Sequence, residues 1–249
     1  MFLGNDQKVY ILDKAEGNNA SINGHPAWGA VWFVFSLHPH SVAFYIFNHR
    51  DINSQQATVM EVLTNTFCAS GMHLPNGSYA TFGGNGAVGV GGAIGSDPYP
   101  GDASASYDMT YQDYDGSQAI RILNPCTDSD DFTTAACQWY DDPSVLSMQK
   151  KRWYAAAEAL ADGTIVLIGG FVNGGYVNRN VPNVDPEFEG GAAEPTYEFY
   201  PSNGTTAQVM QFMITTSGLN SYAHTYLLAS GNMFVQANIS TSECLAQFI

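Results

Sequence analysis

Ala159-Leu-Ala-Asp-Gly-Thr-Ile-Val-Leu-Ile-Gly-Gly170 reads as a strand, a tight turn and a second strand closed by two glycines. Asp162-Gly163 marks the turn, because a tight turn between strands needs positive φ and glycine adopts it cheaply. Two further stretches superimpose on this one. They are His73-Leu-Pro-Asn-Gly-Ser-Tyr-Ala-Thr-Phe-Gly-Gly84 and Tyr226-Leu-Leu-Ala-Ser-Gly-Asn-Met-Phe-Val-Gln-Ala237, with turns at Asn76-Gly77 and Ser230-Gly231. Additional strands are predicted at Ala119-Ile-Arg-Ile-Leu-Asn-Pro125 and Thr196-Tyr-Glu-Phe-Tyr-Pro201. The hairpins share a register of chemistry-bearing residues: Cys68, Tyr154 and Tyr222 each precede Asn76, Asp162 and Ser230 by eight positions. One address in a repeated unit, filled by a thiol and two phenols, predicts that the repeats aim these side chains at a common point.

Gly77, Gly163 and Gly231 are 86 and 68 residues apart, longer than the roughly 50 residues of a kelch repeat. Gly-rich loops at 85–118 and 171–195 hold the excess. The reading is an all-β chain forming a kelch-like β-propeller, incomplete, with about three to four blades of a seven-bladed ring. The 249 residues are treated as one propeller domain, with an atypical insertion at 33–54 and an atypical tail at 242–249. Neither departure matches the repeated unit.

Composition narrows the partners. A net charge of −15 with eight Lys plus Arg provides no basic stripe for phosphates, so nucleic acid is not expected. No apolar run reaches the roughly 18 residues of a membrane span, and no membrane partner is expected. Cys126 and Cys137 bracket a polar loop and are expected to form a disulfide. Sequons at Asn19, Asn76, Asn203 and Asn238 suit a secreted glycoprotein, although no signal peptide is visible. His38, His40, His49 and Asp51 invite a metal reading, but their spacing fits no zinc pattern.

Phe67-Cys-Ala-Ser-Gly-Met-His-Leu-Pro-Asn-Gly77, Lys151-Arg-Trp-Tyr-Ala-Ala-Ala-Glu158, Ile168-Gly-Gly-Phe-Val-Asn-Gly-Gly-Tyr-Val-Asn-Arg179 and Asn220-Ser-Tyr-Ala-His-Thr-Tyr226 resemble the N-terminal half of fungal glyoxal oxidases. These are copper radical oxidases related to galactose oxidase. The resemblance implies that Cys68 and Tyr154 form a thioether-linked radical cofactor, cysteinyl-tyrosine, with Tyr154 also a copper ligand. The remaining copper ligands would lie beyond residue 249. Trp153 and Tyr222 become candidate pocket residues. His224 receives no role, because Ala223 separates it from Tyr222 where the family has an adjacent pair.

The implied activity is oxidation of small aldehydes or α-hydroxycarbonyls, such as glyoxal and methylglyoxal, to acids, with O2 reduced to H2O2. It would be extracellular and coupled to secreted peroxidases, and this stretch alone would be inactive. The chemistry explains the pairing: one copper needs a second one-electron acceptor, and an ortho sulfur lowers the potential of a phenoxyl. Against this stands the ordinary reading of a buried Cys as a small hydrophobe and of a strand Tyr as packing. Two alternatives are a non-catalytic propeller binding carbohydrate or a cell-wall partner, and a galactose-oxidase-like alcohol oxidase.

Overall fold

The computed structural model describes residues 1–5, 8–17, 19–33, 57–127, 129–131, 134–172, 193–216, 221–236 and 242–245. Most of the 33–54 insertion, with His38, His40, His49 and Asp51, lies outside them, as do Asn238 and most of the 171–195 loop.

The chain builds small antiparallel sheets in sequence order. The first sheet holds β1 (Phe2–Leu3), β2 (Lys8–Leu12), β5 (Gly29–Phe33) and β6 (Thr58–Met60), in the order β1-β2-β5-β6. A ribbon of β3 (Ser21–Ile22) and β4 (His25–Pro26) rises from it. The second sheet places β8 (Tyr79–Phe82) between β7 (Ser70–His73) and β11 (Ile120–Leu123). A second ribbon, β9 (Asp97–Pro98) with β10 (Ala105–Tyr107), sits in the long loop between β8 and β11. The third sheet runs in chain order through β12 (Ala156–Ala159), β13 (Ile165–Ile168), β14 (Thr196–Tyr200) and β15 (Gln208–Val209). The short helix α1 (Gln211–Thr216) leads to the fourth sheet, where β17 (Met233–Gln236) lies between β16 (His224–Leu227) and β18 (Ser242–Leu245).

The three repeated hairpins are β7–β8, β12–β13 and β16–β17. Their turns are built alike. Gly77, Gly163 and Gly231 have φ of 87°, 87° and 84° and donate to Leu74, Leu160 and Leu228 at 2.9, 3.0 and 2.9 Å. Side-chain alternation then layers the sheets. In β13 every residue is buried; Ile165 and Leu167 pack toward Phe82 and Ile120 of the second sheet. Val166 and Ile168 point the other way, to Met233 and Val235 of the fourth. A third cluster joins Tyr10, Val31 and Met60 of the first sheet to Leu123 of the second. Full burial of each Ile or Leu stabilises by about 1.5–3 kcal/mol, so the inter-sheet faces dominate cohesion. A disulfide links Cys126 to Cys137 and closes the polar loop after β11.

The propeller expectation is corrected. Among the described residues the sheets are open, with two to four strands each, and none closes into a barrel or curls strongly as the blades of a closed ring require. The physical reason is that turn glycines and strand alternation are local signals. They specify a hairpin equally well in a closed ring and in a run of open sheets packed through apolar faces.

Candidate functional site: a thiol between two phenols

Cys68, Tyr154 and Tyr222 converge. Each sits just before the first strand of its hairpin, and each adopts left-handed backbone, with φ of 60°, 64° and 48°. Five described non-glycine residues have positive φ, and three of them meet here. Such a conformation costs about 1–2 kcal/mol per residue and persists only where surrounding structure imposes it. The constraints are visible. Tyr222 N donates to Tyr154 O at 2.7 Å, tying the third hairpin to the second. Ser70 Oγ donates to Ala155 O, tying the second to the first. Trp153 exchanges backbone hydrogen bonds with Phe171, at 2.9 and 2.6 Å, and its Nε1 donates to Phe67 O at 2.9 Å.

Behind Tyr154 stands a buried guanidinium. Arg152 is fully buried; its Nε donates to Glu198 Oε1 at 2.8 Å and its other nitrogens to Gly169 O, Thr196 O and Thr196 Oγ1 at 2.8, 2.9 and 2.8 Å. Its own carbonyl lies where a Cβ on Gly83 would come within 2.0 Å, so only glycine allows the second sheet to approach. Gly84 allows the same close approach next to it, where its Cβ would come within 2.0 Å of Asn65 O.

The two phenols face one sulfur. A hydrogen bond between the Tyr154 hydroxyl and the Cys68 sulfur, with burial second, pushes the Tyr154 phenol up to about 12. Burial first, and the Cys68 sulfur next, also raises the Tyr222 phenol. The Tyr154 and Tyr222 rings are edge-to-face at 5.1 Å, and Trp153 lies 4.5 Å from Tyr154. Phe171 adds a further edge contact to Tyr154 at 5.8 Å. Both Tyr222 and Phe67 remain partly exposed, so the cluster is reachable from solvent. Cys68 also lines a cavity of about 240 Å3 with Lys14, Thr66, Phe67 and Ser70.

The structure thus brings together Cys68, Tyr154, Trp153 and Tyr222, while His224 lies exposed on β16. Sequence reasoning missed Phe171 and also Asn65, whose Oδ1 accepts from the amide of Phe67, the residue before Cys68, at 3.0 Å. Phe171 follows the Gly169-Gly170 pair directly, which was its available signal; Asn65 had none.

Among the described residues no group of three or more His, Cys, Asp or Glu could hold a metal ion, and the donors present are one sulfur and two phenol oxygens. The expectation of a copper radical oxidase acting on aldehydes is therefore corrected. Among the described residues the closed ring of that family is not formed, and no group of His, Cys, Asp or Glu able to hold a metal ion is found. The galactose-oxidase-like and carbohydrate-binding propeller alternatives rest on the same ring and fall with it.

No protein-family model matches the chain. It is 25% identical over 191 residues to an aldehyde oxidase GLOX of Vitis pseudoreticulata, covering 76% of this chain and 26% of that protein. It is 25% identical over 176 residues to a WSC domain-containing protein of Arthroderma benhamiae, covering 70% of this chain and 14% of that protein. The chain spans well under half the length of the curated relatives it matches. The resemblance to glyoxal oxidases is accordingly reduced to a remote, partial similarity to one GLOX-type protein, and membership of the copper radical oxidases is not established by it.

Proposed function

We propose that Cys68, Tyr154 and Tyr222 form a thiol–phenol redox centre in which Cys68 and Tyr154 couple oxidatively to cysteinyl-tyrosine. The observation that carries this is the convergence of three strained, register-equivalent residues on one sulfur. Three left-handed non-glycine residues at one point are costly for a packing role, and strain of this kind collects at functional sites.

The chemistry balances without further protein groups. The S–H bond of Cys68 and one ring C–H bond of Tyr154 break, and a C–S bond forms. Two electrons and two protons leave, and O2 accepts them as H2O2. The resulting sulfur-substituted phenol is a better one-electron donor than tyrosine, and the tilted Trp153 ring and edge-on Tyr222 ring shield it. The oxidation named for the plant relative is consistent with a redox centre, and the Cys126–Cys137 disulfide supports an oxidising, extracellular setting.

The test is oxidation of the purified chain by O2 with a soluble one-electron oxidant, followed by peptide mass analysis. The reading expects loss of two hydrogens and one peptide joining Cys68 to Tyr154, absent from Cys68→Ser and Tyr154→Phe. Recovery of both residues in separate, unmodified peptides would defeat it.

A further inference from the structure

Asp113 is fully buried, and so is Asn65 beside it. One carboxylate oxygen of Asp113 accepts from Val88 N at 3.0 Å and from Asn65 Nδ2 at 3.3 Å. The other has no hydrogen-bond partner among the described residues. Asn65 is thereby oriented. Its Nδ2 also donates to Gly86 O at 3.0 Å, and its Oδ1 accepts from Phe67 N at 3.0 Å. Phe67 is the residue before Cys68. The Asn65 backbone has no freedom to compensate: its carbonyl accepts from Arg121 at 3.2 Å and is packed where a Cβ on Gly84 or Gly116 would come within 2.0 or 1.9 Å.

From this geometry we infer that Asp113 is a positioning residue for Cys68, acting through Asn65 on the Phe67 amide, and that its protonation state switches how tightly the Cys68 turn is held. As a carboxylate, Asp113 makes charge-assisted bonds that fix which end of the Asn65 amide faces Phe67 N. As a neutral acid it holds Asn65 more weakly, and the left-handed Cys68 is released toward ordinary backbone.

The surrounding charges allow the switch to work near neutrality. Asp108, nearly buried in the same loop, repels a second negative charge. Arg121 is the buried cation nearby, but it is directed to Thr64, Gly83 O and Asn65 O and is paired with Asp141 at 3.7 Å. Asp115 is paired with Lys151 at 3.1 Å. Burial, with the Asp108 charge adding to it, raises the Asp113 carboxyl to about 7 despite the Val88 and Asn65 bonds.

The inference rests on Cys68 being the reactive group of the proposed centre, but its test reads thiol alkylation, which proceeds whether or not Cys68 couples to Tyr154. The rate of Cys68 alkylation by iodoacetamide, resolved by peptide to separate it from Cys244, is compared between the unaltered chain and Asp113→Asn. The asparagine imitates the neutral acid at every pH. Below neutrality the two rates should agree. Above it the unaltered chain should become slower by about two- to tenfold, the effect of one hydrogen bond in the relay. A rate ratio constant across neutrality would overturn the inference.

A second measurement needs no variant. In the unaltered chain the Phe67 amide resonance should titrate with the midpoint of the Asp113 carboxyl carbon. A Phe67 amide indifferent to that titration would overturn the inference even if Asp113→Asn failed to fold.

Discussion

Arg152→Ala tests whether the buried cation behind Tyr154 holds the site together. Four hydrogen bonds are lost, to Glu198, Gly169 O, Thr196 O and Thr196 Oγ1. Glu198, itself buried, keeps, among the described residues, two backbone partners, Gln149 N at 2.6 Å and Lys150 N at 3.3 Å. Breaking one side of a buried pair costs about 3–5 kcal/mol, because an uncompensated charge remains. At the usual scaling for a chain of this size, that lowers the melting temperature by roughly 6–20 °C. Urea unfolding, followed by tryptophan fluorescence, gives the free energy directly. Adding Glu198→Ala should cost less than the sum of the two single changes, since the orphaned charge goes with it. A single-variant cost under about 1 kcal/mol, or strict additivity, would refute the assignment of Arg152 and Glu198 as one buried unit.

Other consequences are more local. Cys68→Ala removes the sulfur that accepts from Tyr154, so the Tyr154 phenol should titrate below about 12, moving toward the ordinary phenol value near 10; ring-labelled tyrosine NMR reads this, and an unmoved titration would place the sulfur elsewhere. Gly83→Ala should cost about 2–5 kcal/mol, because its Cβ would meet Arg152 O at φ +73°, whereas Gly77→Ala, at φ +87° with open space around it, should cost only about 1–2 kcal/mol. Equal costs in thermal unfolding would contradict that packing. Asp113 also makes a stability prediction with a definite sign. Its folded pKa lies above the unfolded value, so the folded state binds the extra proton between pH about 4 and about 7 and loses stability as pH rises through that window, by up to about 4 kcal/mol. The gain from Asp113→Asn should therefore grow from pH 5 to pH 8 and then level off; a pH-independent difference would disprove the raised carboxyl.

Legibility in the sequence followed the range of the interaction. The Asn-Gly, Asp-Gly and Ser-Gly turns are local, so the three hairpins and their register could be read from the chain, as could the Cys126–Cys137 pairing. The position of Cys68, Tyr154 and Tyr222 relative to those turns was likewise visible. Their left-handed backbone was not, since neither Cys nor Tyr favours positive φ and only the cross-hairpin bonds at Ala155 and Tyr154 impose it. Whether the sheets close into a ring depends on long-range packing angles, which strand alternation leaves open; β13, buried on both faces, suits open layers as well as blades. The Asp113–Asn65 relay was hidden because the 85–118 loop has no hydrophobic period. Its buried carboxyl looks, in sequence, like any loop aspartate.

The most direct test of the central claim is to capture the thiol and phenol covalently where they meet. After oxidation, peptide mapping should return one cross-linked species carrying Cys68 and Tyr154, two hydrogens lighter than its parts. If Cys68 instead emerges unmodified, or joined to Cys244, the sulfur does not sit against Tyr154 in solution and the redox centre is not there.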